Sequence, residues 1–182
     1  MKATASRDTA LKQLTIEHNE VRALIDALTE AEMTQPDTIE YGLYYDQELS
    51  FQDLLAHLIT YEAYAVETIQ AWKRGQKHSV IDAMLDPRAA RRIHYAGIED
   101  RRGQSLAQTL AEWETTQANL MRAIEALSDA DWTSPAPFAS NPPLDLGGAL
   151  EIILVAPPRP LYRHLPVHIP DSQAYLHKLR RA

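Results

Sequence analysis

The chain has no cysteine among its 182 residues, and this absence excludes several kinds of site at once. A disulfide, a thiolate zinc site, an iron–sulfur cluster and a cysteine nucleophile all need sulfur from that residue. Any metal ion must therefore be bound through nitrogen and oxygen. A reaction that needs a thiol must take the thiol from another molecule.

Long hydrophobic runs are also absent. The strongest apolar run, residues 152–156, is far too short to span a bilayer. The first nine residues, MKATASRDT, are polar and lack the apolar core of a secretory signal. Together these absences predict a cytoplasmic protein with no membrane partner.

Positive charge is in the minority, with 18 Lys and Arg against 25 Asp and Glu and a net charge of -7 at pH 7. Nonspecific affinity for nucleic acid comes from cationic side chains that displace counterions from the phosphates. The net charge therefore predicts no nucleic acid partner. We interpret the arginine clusters as solvated surface groups; they comprise Arg88, Arg91, Arg92, Arg101 and Arg102.

Three amphipathic helices follow from apolar residues that recur at alternating spacings of three and four. The first helix covers residues 11–28. The second begins at a capping box formed by Ser50 and Asp53 and ends near Gly75, and the third covers residues 106–127. With 45% hydrophobic residues, this length predicts a single domain over the whole chain, residues 1–182.

The remaining segments complete an all-α, four-helix bundle with long connectors. A short helix is predicted between Val80 and Ile93. The run LEIILVA at residues 150–156 is rich in β-branched residues, but a lone strand would have no partner, so we predict a short helix there as well. Residues 161–180 are predicted to form the fourth bundle helix.

A short internal repeat favours the same architecture. DALTEAEMTQP at residues 26–36 matches EALSDADWTSP at residues 125–135 without a gap. Both segments combine the end of a long helix, a turn with an acidic capping motif, and a proline. The match indicates two related helix pairs, and common helix-end chemistry is the rival explanation.

His164 and His168 are four residues apart, the spacing of two metal ligands on one helix face. Their Cβ atoms would lie about 5–6 Å apart, so that both rings could bind one ion. Spacing alone is weak evidence, because random placement of the seven histidines gives roughly 0.26 such pairs. Pro166 and Pro170 also fall in this segment, and each removes a helical hydrogen bond and can misdirect a ring.

His57 strengthens the case for a metal site. It lies on the predicted second helix beside the apolar stripe, and the packing of a bundle can bring it across the core to His164 and His168. Three imidazoles leave coordination positions open, which is typical of a catalytic metal centre rather than of a closed structural one. We therefore predict a divalent metal ion bound by these three histidines.

Two other polar residues lie on apolar stripes. Glu62 follows Leu58 by about one helical turn and is a weak catalytic candidate that could orient a histidine or act on a water; we favour an interfacial glutamate bonded to a tyrosine. His18 lies between Leu14 and Val21. We expect a buried, hydrogen-bonded histidine, with a role beside the metal site as the alternative.

Three segments resemble helices of the DinB-like, DNA-damage-inducible family. SFQDLLAHLITYEAYAVETIQAW is similar to the second helix of that family, SLAQTLAEWETTQANLMRAIEALSDADW to its third, and LYRHLPVHIPDSQAYL to its last. The resemblance implies a four-helix bundle, often a homodimer. It also implies a divalent metal ion, commonly nickel or zinc, held by one histidine of the second helix, here His57, and two of the last, here His164 and His168.

The same resemblance implies an activity. Relatives include transferases and isomerases that use the low-molecular-weight thiols mycothiol, bacillithiol or glutathione. We therefore expect a metal-dependent hydrolase, or a transferase that uses an exogenous thiol, with a small-molecule substrate. Two alternatives stay open: a non-enzymatic protein that binds a small molecule, and a metal-independent genotoxin hydrolase, because the ending HxxxHIPD also resembles the ClbS and DfsB branch.

Overall fold

The computed structural model describes residues 5–39, 48–141, 143–155 and 162–181, without the side chain of His94. These ranges contain helices and no strand; Pro135 and Asp145 form an isolated bridge. The helices are α1 (Arg7–Ala27), α2 (Glu30–Thr34), α3 (Phe51–Lys73), α4 (Val80–Leu85), α5 (Pro87–Glu99), α6 (Leu106–Glu125), α7 (Asp129–Trp132), α8 (Leu146–Val155), α9 (Leu165–His168) and α10 (Ser172–Leu179).

The long helices α1, α3 and α6 each begin at a serine, which caps the first turn. Ser6, Ser50 and Ser105 accept hydrogen bonds from backbone N–H groups that have no partner inside the helix. The predicted capping box at Ser50 is confirmed, since the Asp53 carboxylate in turn accepts the Ser50 N–H at 2.8 Å. Gly75, with φ of 72°, follows the end of α3 as predicted.

Helix α3 lies at the centre of the molecule. It packs against α6, α8, α5 and α2, while α1 packs against α6 and α10. The predicted short helix at residues 150–156 is confirmed as part of α8, whose last described residue is Val155. Residues 40–47, within the predicted connector between the first two long helices, lie outside the described part of the chain.

The internal repeat corresponds to a repeated local structure. After α1, Thr29 and Glu32 form a capping box that starts α2, and after α6, Ser128 and Asp131 form one that starts α7. The two sequence matches therefore mark equivalent turns at the ends of two long helices.

The all-α class is confirmed, but a continuous fourth helix over residues 161–180 is wrong. Helix α9 has four residues and is separated from α10 by Ile169, Pro170 and Asp171. Pro166 lies in the first turn of α9, where a missing N–H group is tolerated. Ile169, with φ of -129° and ψ of 84°, is extended because it precedes Pro170. Helix α8, rather than this segment, forms the more extensive contact with α3.

None of the described helices is both long and apolar enough to cross a membrane.

A close approach between α5 and α3 gives a first prediction. A Cβ atom on Gly97 would lie 2.1 Å from Oγ1 of Thr60, and that hydroxyl accepts a hydrogen bond from Arg101 at 3.1 Å. We expect Gly97→Ala to lower the free energy of unfolding by about 1–2 kcal/mol, because steric overlap outweighs the gain in helix propensity. Urea unfolding followed by circular dichroism measures this change.

Gly103→Ala is the matched control, because a Cβ atom there meets nothing within 4 Å. Its expected effect is below about 0.5 kcal/mol. Equal stabilities of the two variants would show that α5 and α3 are not in this close contact.

Candidate metal centre

The apolar core of the described residues divides into two clusters, one containing Leu58 and Leu165 and the other containing Tyr61 and Tyr162. Polar residues occupy the positions where the chain passes from one cluster to the other. They are Glu17 and His18 on α1, Glu62 on α3, Gln117 on α6, and Arg163 and His164 before α9. His164 belongs to this polar layer, whereas His57 and His168 lie between residues of the first cluster, and the low-dielectric surroundings strengthen electrostatic interactions.

The structure brings the three predicted histidines together through their Nε2 atoms. Nε2 of His164 lies 2.9 Å from Nε2 of His57 and 3.0 Å from Nε2 of His168. One ring nitrogen from each residue falls within 4.8 Å of the other two. His57 and His168 are buried and His164 is partly exposed.

The hydrogen bonding of His164 shows that these nitrogens suit a cation. Its Nδ1 donates to the carbonyl oxygen of Leu154 at 2.6 Å, which leaves a lone pair on Nε2 in the neutral ring. That single lone pair faces the Nε2 atoms of both other histidines and cannot accept well from two donors. An ion that receives one lone pair from each ring satisfies all three.

Two of the three nitrogen separations are close to those of tetrahedral coordination, and the third pair of nitrogens lies within 4.8 Å. Two imidazole nitrogens at the usual zinc distance of about 2.0–2.1 Å lie roughly 3.3 Å apart at the tetrahedral angle. The two shorter separations here are within a few tenths of an ångström of that value. The residues present therefore fit a divalent ion.

Glu17 positions the segment that carries His164. Its carboxylate accepts the backbone N–H of His164 at 2.8 Å and that of Leu165 at 2.7 Å, and it pairs with Arg163 at 3.3 Å. Burial raises the pKa of Glu17 to about 7, against the lowering effect of those hydrogen bonds and of the guanidinium. Near neutral pH, the Glu17 carboxyl group is thus present in both its ionised and its neutral form.

Tyr61 forms an aromatic wall one helical turn from His57. Its ring centroid lies 4.7 Å from that of His57 and 5.5 Å from that of His164. These contacts restrict the orientations of both imidazoles, as packing around metal ligands commonly does.

Glu62 belongs to a hydrogen-bonded chain across three helices. Nε2 of Gln117 donates to Nδ1 of His18 at 2.8 Å, so Nε2 of His18 carries the proton that it donates to Oε1 of Glu62 at 2.8 Å. The buried, hydrogen-bonded His18 is thus confirmed, and the bond of Glu62 is to this histidine rather than to a tyrosine.

The second carboxylate oxygen of Glu62 is available to another group. Oε2 is buried and has no hydrogen-bond partner among the described residues. Glu62 lines a small cavity together with Glu17, Tyr61 and His164. Glu62 and one of the metal-binding candidates, His164, therefore line the same cavity.

Sequence reasoning missed Glu17, although a signal was present. Glu17 follows Leu14 by three residues and precedes Val21 by four, so a charged residue occupies a position on the apolar stripe. Its partners are 147 and 148 residues away in sequence, and only the folded chain shows them.

A family model of the DinB superfamily matches residues 44–155, more than half of the chain, and the chain belongs to this superfamily. The matched region contains His57 and ends before His164 and His168. The comparison with curated proteins gives no match.

Two solved structures share the fold over nearly all of the chain. A crystal structure of the colibactin self-resistance protein ClbS in complex with double-stranded DNA has a TM-score of 0.68 at 13% identity, covering 100% of this chain and 99% of that one. An uncharacterised protein from Escherichia coli UTI89 has a TM-score of 0.66 at 13% identity, covering 97% and 90%.

The structure of the ClbS complex contradicts the prediction, made from net charge, that the chain has no nucleic acid partner. That prediction is wrong because a protein with this fold is found in complex with double-stranded DNA. Net charge is a sum over the whole surface, whereas a nucleic acid responds to local charge. On α5 such a local group exists, since Arg88, Arg91 and Arg92 are exposed at positions that share one helix face.

Proposed function

We propose that the chain is a metal-dependent enzyme acting on a small molecule, with zinc or nickel held by His57, His164 and His168. The observation that supports this proposal is that the Nε2 atoms of His57 and His168 both lie close to the lone pair on Nε2 of His164. A divalent ion in this site would supply Lewis acidity and lower the pKa of a water or thiol that reaches it. With water as the nucleophile, the reaction would be hydrolysis. With an exogenous thiol such as mycothiol, bacillithiol or glutathione as the nucleophile, it would be group transfer.

The chain's own residues have separate roles in this proposal. Glu17 fixes the backbone at His164, and Tyr61 restricts the rings of His57 and His164. Glu62 is the candidate general base, because its Oε2 has no hydrogen-bond partner among the described residues and the residue lines the cavity that His164 also lines. Its other oxygen is held by His18, which fixes the direction of the carboxylate.

The test compares metal-loaded with chelator-treated protein in two assays. Hydrolysis is followed with p-nitrophenyl acetate, and thiol transfer with chlorodinitrobenzene and glutathione. We expect turnover in one of the two assays. This turnover should require the metal and should be lost when any of the three histidines is replaced. A chain that takes up neither zinc nor nickel contradicts the proposal, and metal uptake without turnover favours the non-enzymatic binding protein.

Glu62→Gln separates catalysis from metal binding. We expect it to lower kcat by about 10²–10⁴-fold while metal affinity changes little, since Glu62 removes a proton rather than binding the ion. Glu67→Gln is the control, because Glu67 is on the same helix but half-exposed and paired with His78. Equal activity of both variants would exclude Glu62 as the base.

A second candidate function follows from the basic face of α5. Arg88, Arg91 and Arg92 would contact the phosphate backbone of double-stranded DNA, as part of a ClbS-like role in which a genotoxin is hydrolysed without metal. We expect binding of a short labelled duplex that weakens steeply between about 50 mM and about 200 mM salt. Fluorescence anisotropy of the wild type and of an Arg88→Glu, Arg92→Glu double variant tests this; equal binding by the two proteins would contradict it.

A further inference from the structure

The small cavity that borders the histidine cluster at His164 is limited by its size in what it can hold. Its lining also includes Leu14 on α1, Glu62 on α3 and Leu154 on α8. The cavity volume is about 10 Å³, close to the roughly 10–15 Å³ that one water molecule needs. A thiol brings a sulfur atom, which is larger than oxygen, and at least one attached carbon atom. The cavity therefore has room for one water molecule but not for a thiol.

One carboxylate oxygen of the residues in this lining needs a hydrogen-bond donor. Glu62 is 5% exposed, and its Oε1 accepts the Nε2–H of His18 at 2.8 Å. Oε2 is buried and accepts no hydrogen bond from the described residues. Buried polar atoms in folded proteins almost always have a partner, which is either a protein group or an ordered water. Water is a donor of the size that this cavity accepts.

Other polar groups of the lining can complete the hydrogen bonding of such a water, which usually has about two to four polar partners. The Tyr162 hydroxyl donates its proton to the Gly147 carbonyl at 2.5 Å, so lone pairs of the phenolic oxygen remain as acceptors. Further polar side chains in the lining are those of Glu17, Tyr61 and His164. A water in this cavity is therefore next to a buried carboxylate and next to one of the metal-binding candidates.

We propose that the cavity binds one water molecule, that Glu62 holds this water through Oε2, and that this water is the nucleophile of the reaction. The proposal rests on the proposed function and selects hydrolysis over thiol transfer. With an ester, Glu62 takes one proton from the water, and the water oxygen bonds to the carbonyl carbon. The bond from that carbon to the alkoxy oxygen then breaks, and the alkoxide receives the proton from Glu62. The products are a carboxylic acid and an alcohol, and Glu62 is again a carboxylate.

Crystals of the chelator-treated protein test the water site independently of the metal. We expect one ordered water in the cavity of the wild type, within about 3.2 Å of Oε2 of Glu62. Leu14→Met is expected to lack this water, because the longer, unbranched side chain extends into the cavity at little cost to core packing. Leu24→Met is the matched control on α1, since Leu24 is equally buried but lies outside the lining, and it should keep the water.

Product analysis with the zinc-loaded protein tests the choice of nucleophile. p-Nitrophenyl acetate is supplied together with excess glutathione, and the products formed with chelator-treated protein are subtracted. We expect acetate, rather than S-acetylglutathione, as the enzyme-dependent product. Leu14→Met should lower kcat for hydrolysis by about 10²-fold or more, as loss of general-base catalysis does, while the affinity for zinc stays the same. Leu24→Met should have the kcat of the wild type.

The outcomes separate this proposal from the one on which it rests. Wild-type crystals with no density for a water at Oε2 of Glu62 would overturn the water site. Enzyme-dependent formation of S-acetylglutathione, or a wild-type kcat in a Leu14→Met protein that lacks the water, would overturn its role as nucleophile and leave a metal-dependent enzyme intact. Failure of the chain to take up zinc or nickel would overturn the proposed function itself, whereas the water would still be seen in the crystals.

Discussion

His164→Ala is expected to lower the affinity for zinc or nickel by more than about 100-fold, because loss of a group that merely orients a metal ligand already costs about 10–100-fold. His164 should be the most sensitive of the three, since its Nε2 is the atom that approaches both other rings, at 2.9 and 3.0 Å. His57→Ala and His168→Ala are expected to have the same direction of effect. Competition with a chromogenic chelator measures the affinities.

The metal should also stabilise the folded chain. At a free metal concentration about 100 times the Kd, the free energy of unfolding of the wild type should rise by about 2.7 kcal/mol, and the rise should disappear in His164→Ala. His177→Ala serves as the control, since His177 is an exposed residue of α10 outside the cluster. Unchanged affinity in all three cluster variants would show that any bound metal lies elsewhere.

Glu17→Ala is expected to be the most destabilising single substitution in the polar layer, with a loss of about 2–4 kcal/mol in the metal-free protein. The substitution leaves the N–H groups of His164 and Leu165 without their acceptor and removes the more buried of the two carboxylates that pair with Arg163. Metal affinity should fall as well, by about 10–100-fold, because the backbone that carries His164 is no longer fixed. Urea unfolding in the presence of chelator gives the first quantity, and chelator competition gives the second.

Two variants distinguish the hydrogen bonds from the charge. Glu17→Gln keeps a neutral acceptor and resembles the protonated carboxyl group that the raised pKa of about 7 makes accessible, so it should cost at most about 1 kcal/mol. Glu20→Ala removes the more exposed partner of Arg163 and should cost less than about 1 kcal/mol. A Glu17→Ala protein as stable as Glu20→Ala would contradict the positioning role.

The long helices were predictable because their signals are local. Apolar spacing predicts α3 and α6 within a few residues, and the Ser50 cap predicts the start of α3, since the same residues that form the apolar face also decide which side is buried. The end of the chain was not predictable in the same way. Its apolar spacing suggested one helix, but Pro166 lies in the first turn of α9 and Pro170 separates α9 from α10.

That division explains how two histidines four residues apart still converge. His164 precedes α9 and His168 ends it, so the pair does not depend on a long regular helix. What holds His164 in place is the contact with Glu17 and with the carbonyl of Leu154, and neither follows from spacing. The sequence therefore predicted the three residues of the cluster, while the groups that orient them required the folded chain.

Glu62 and the arginines of α5 show the limits of reasoning from composition and position. The stripe position of Glu62 predicted burial, but its partner, His18, lies 44 residues away and comes from another helix. The net charge of -7 predicted no nucleic acid, yet charge on a folded surface is distributed by helix faces, and α5 presents three exposed arginines on one of them.

We propose that His57, His164 and His168 bind one divalent ion together. Anomalous diffraction from crystals of the zinc-loaded protein, recorded on both sides of the zinc absorption edge, tests it most directly. We expect one strong peak per chain, about 2.0–2.1 Å from the Nε2 atoms of all three residues. A zinc-loaded crystal with its anomalous peak at other residues, or with none within bonding distance of the three Nε2 atoms, would contradict it.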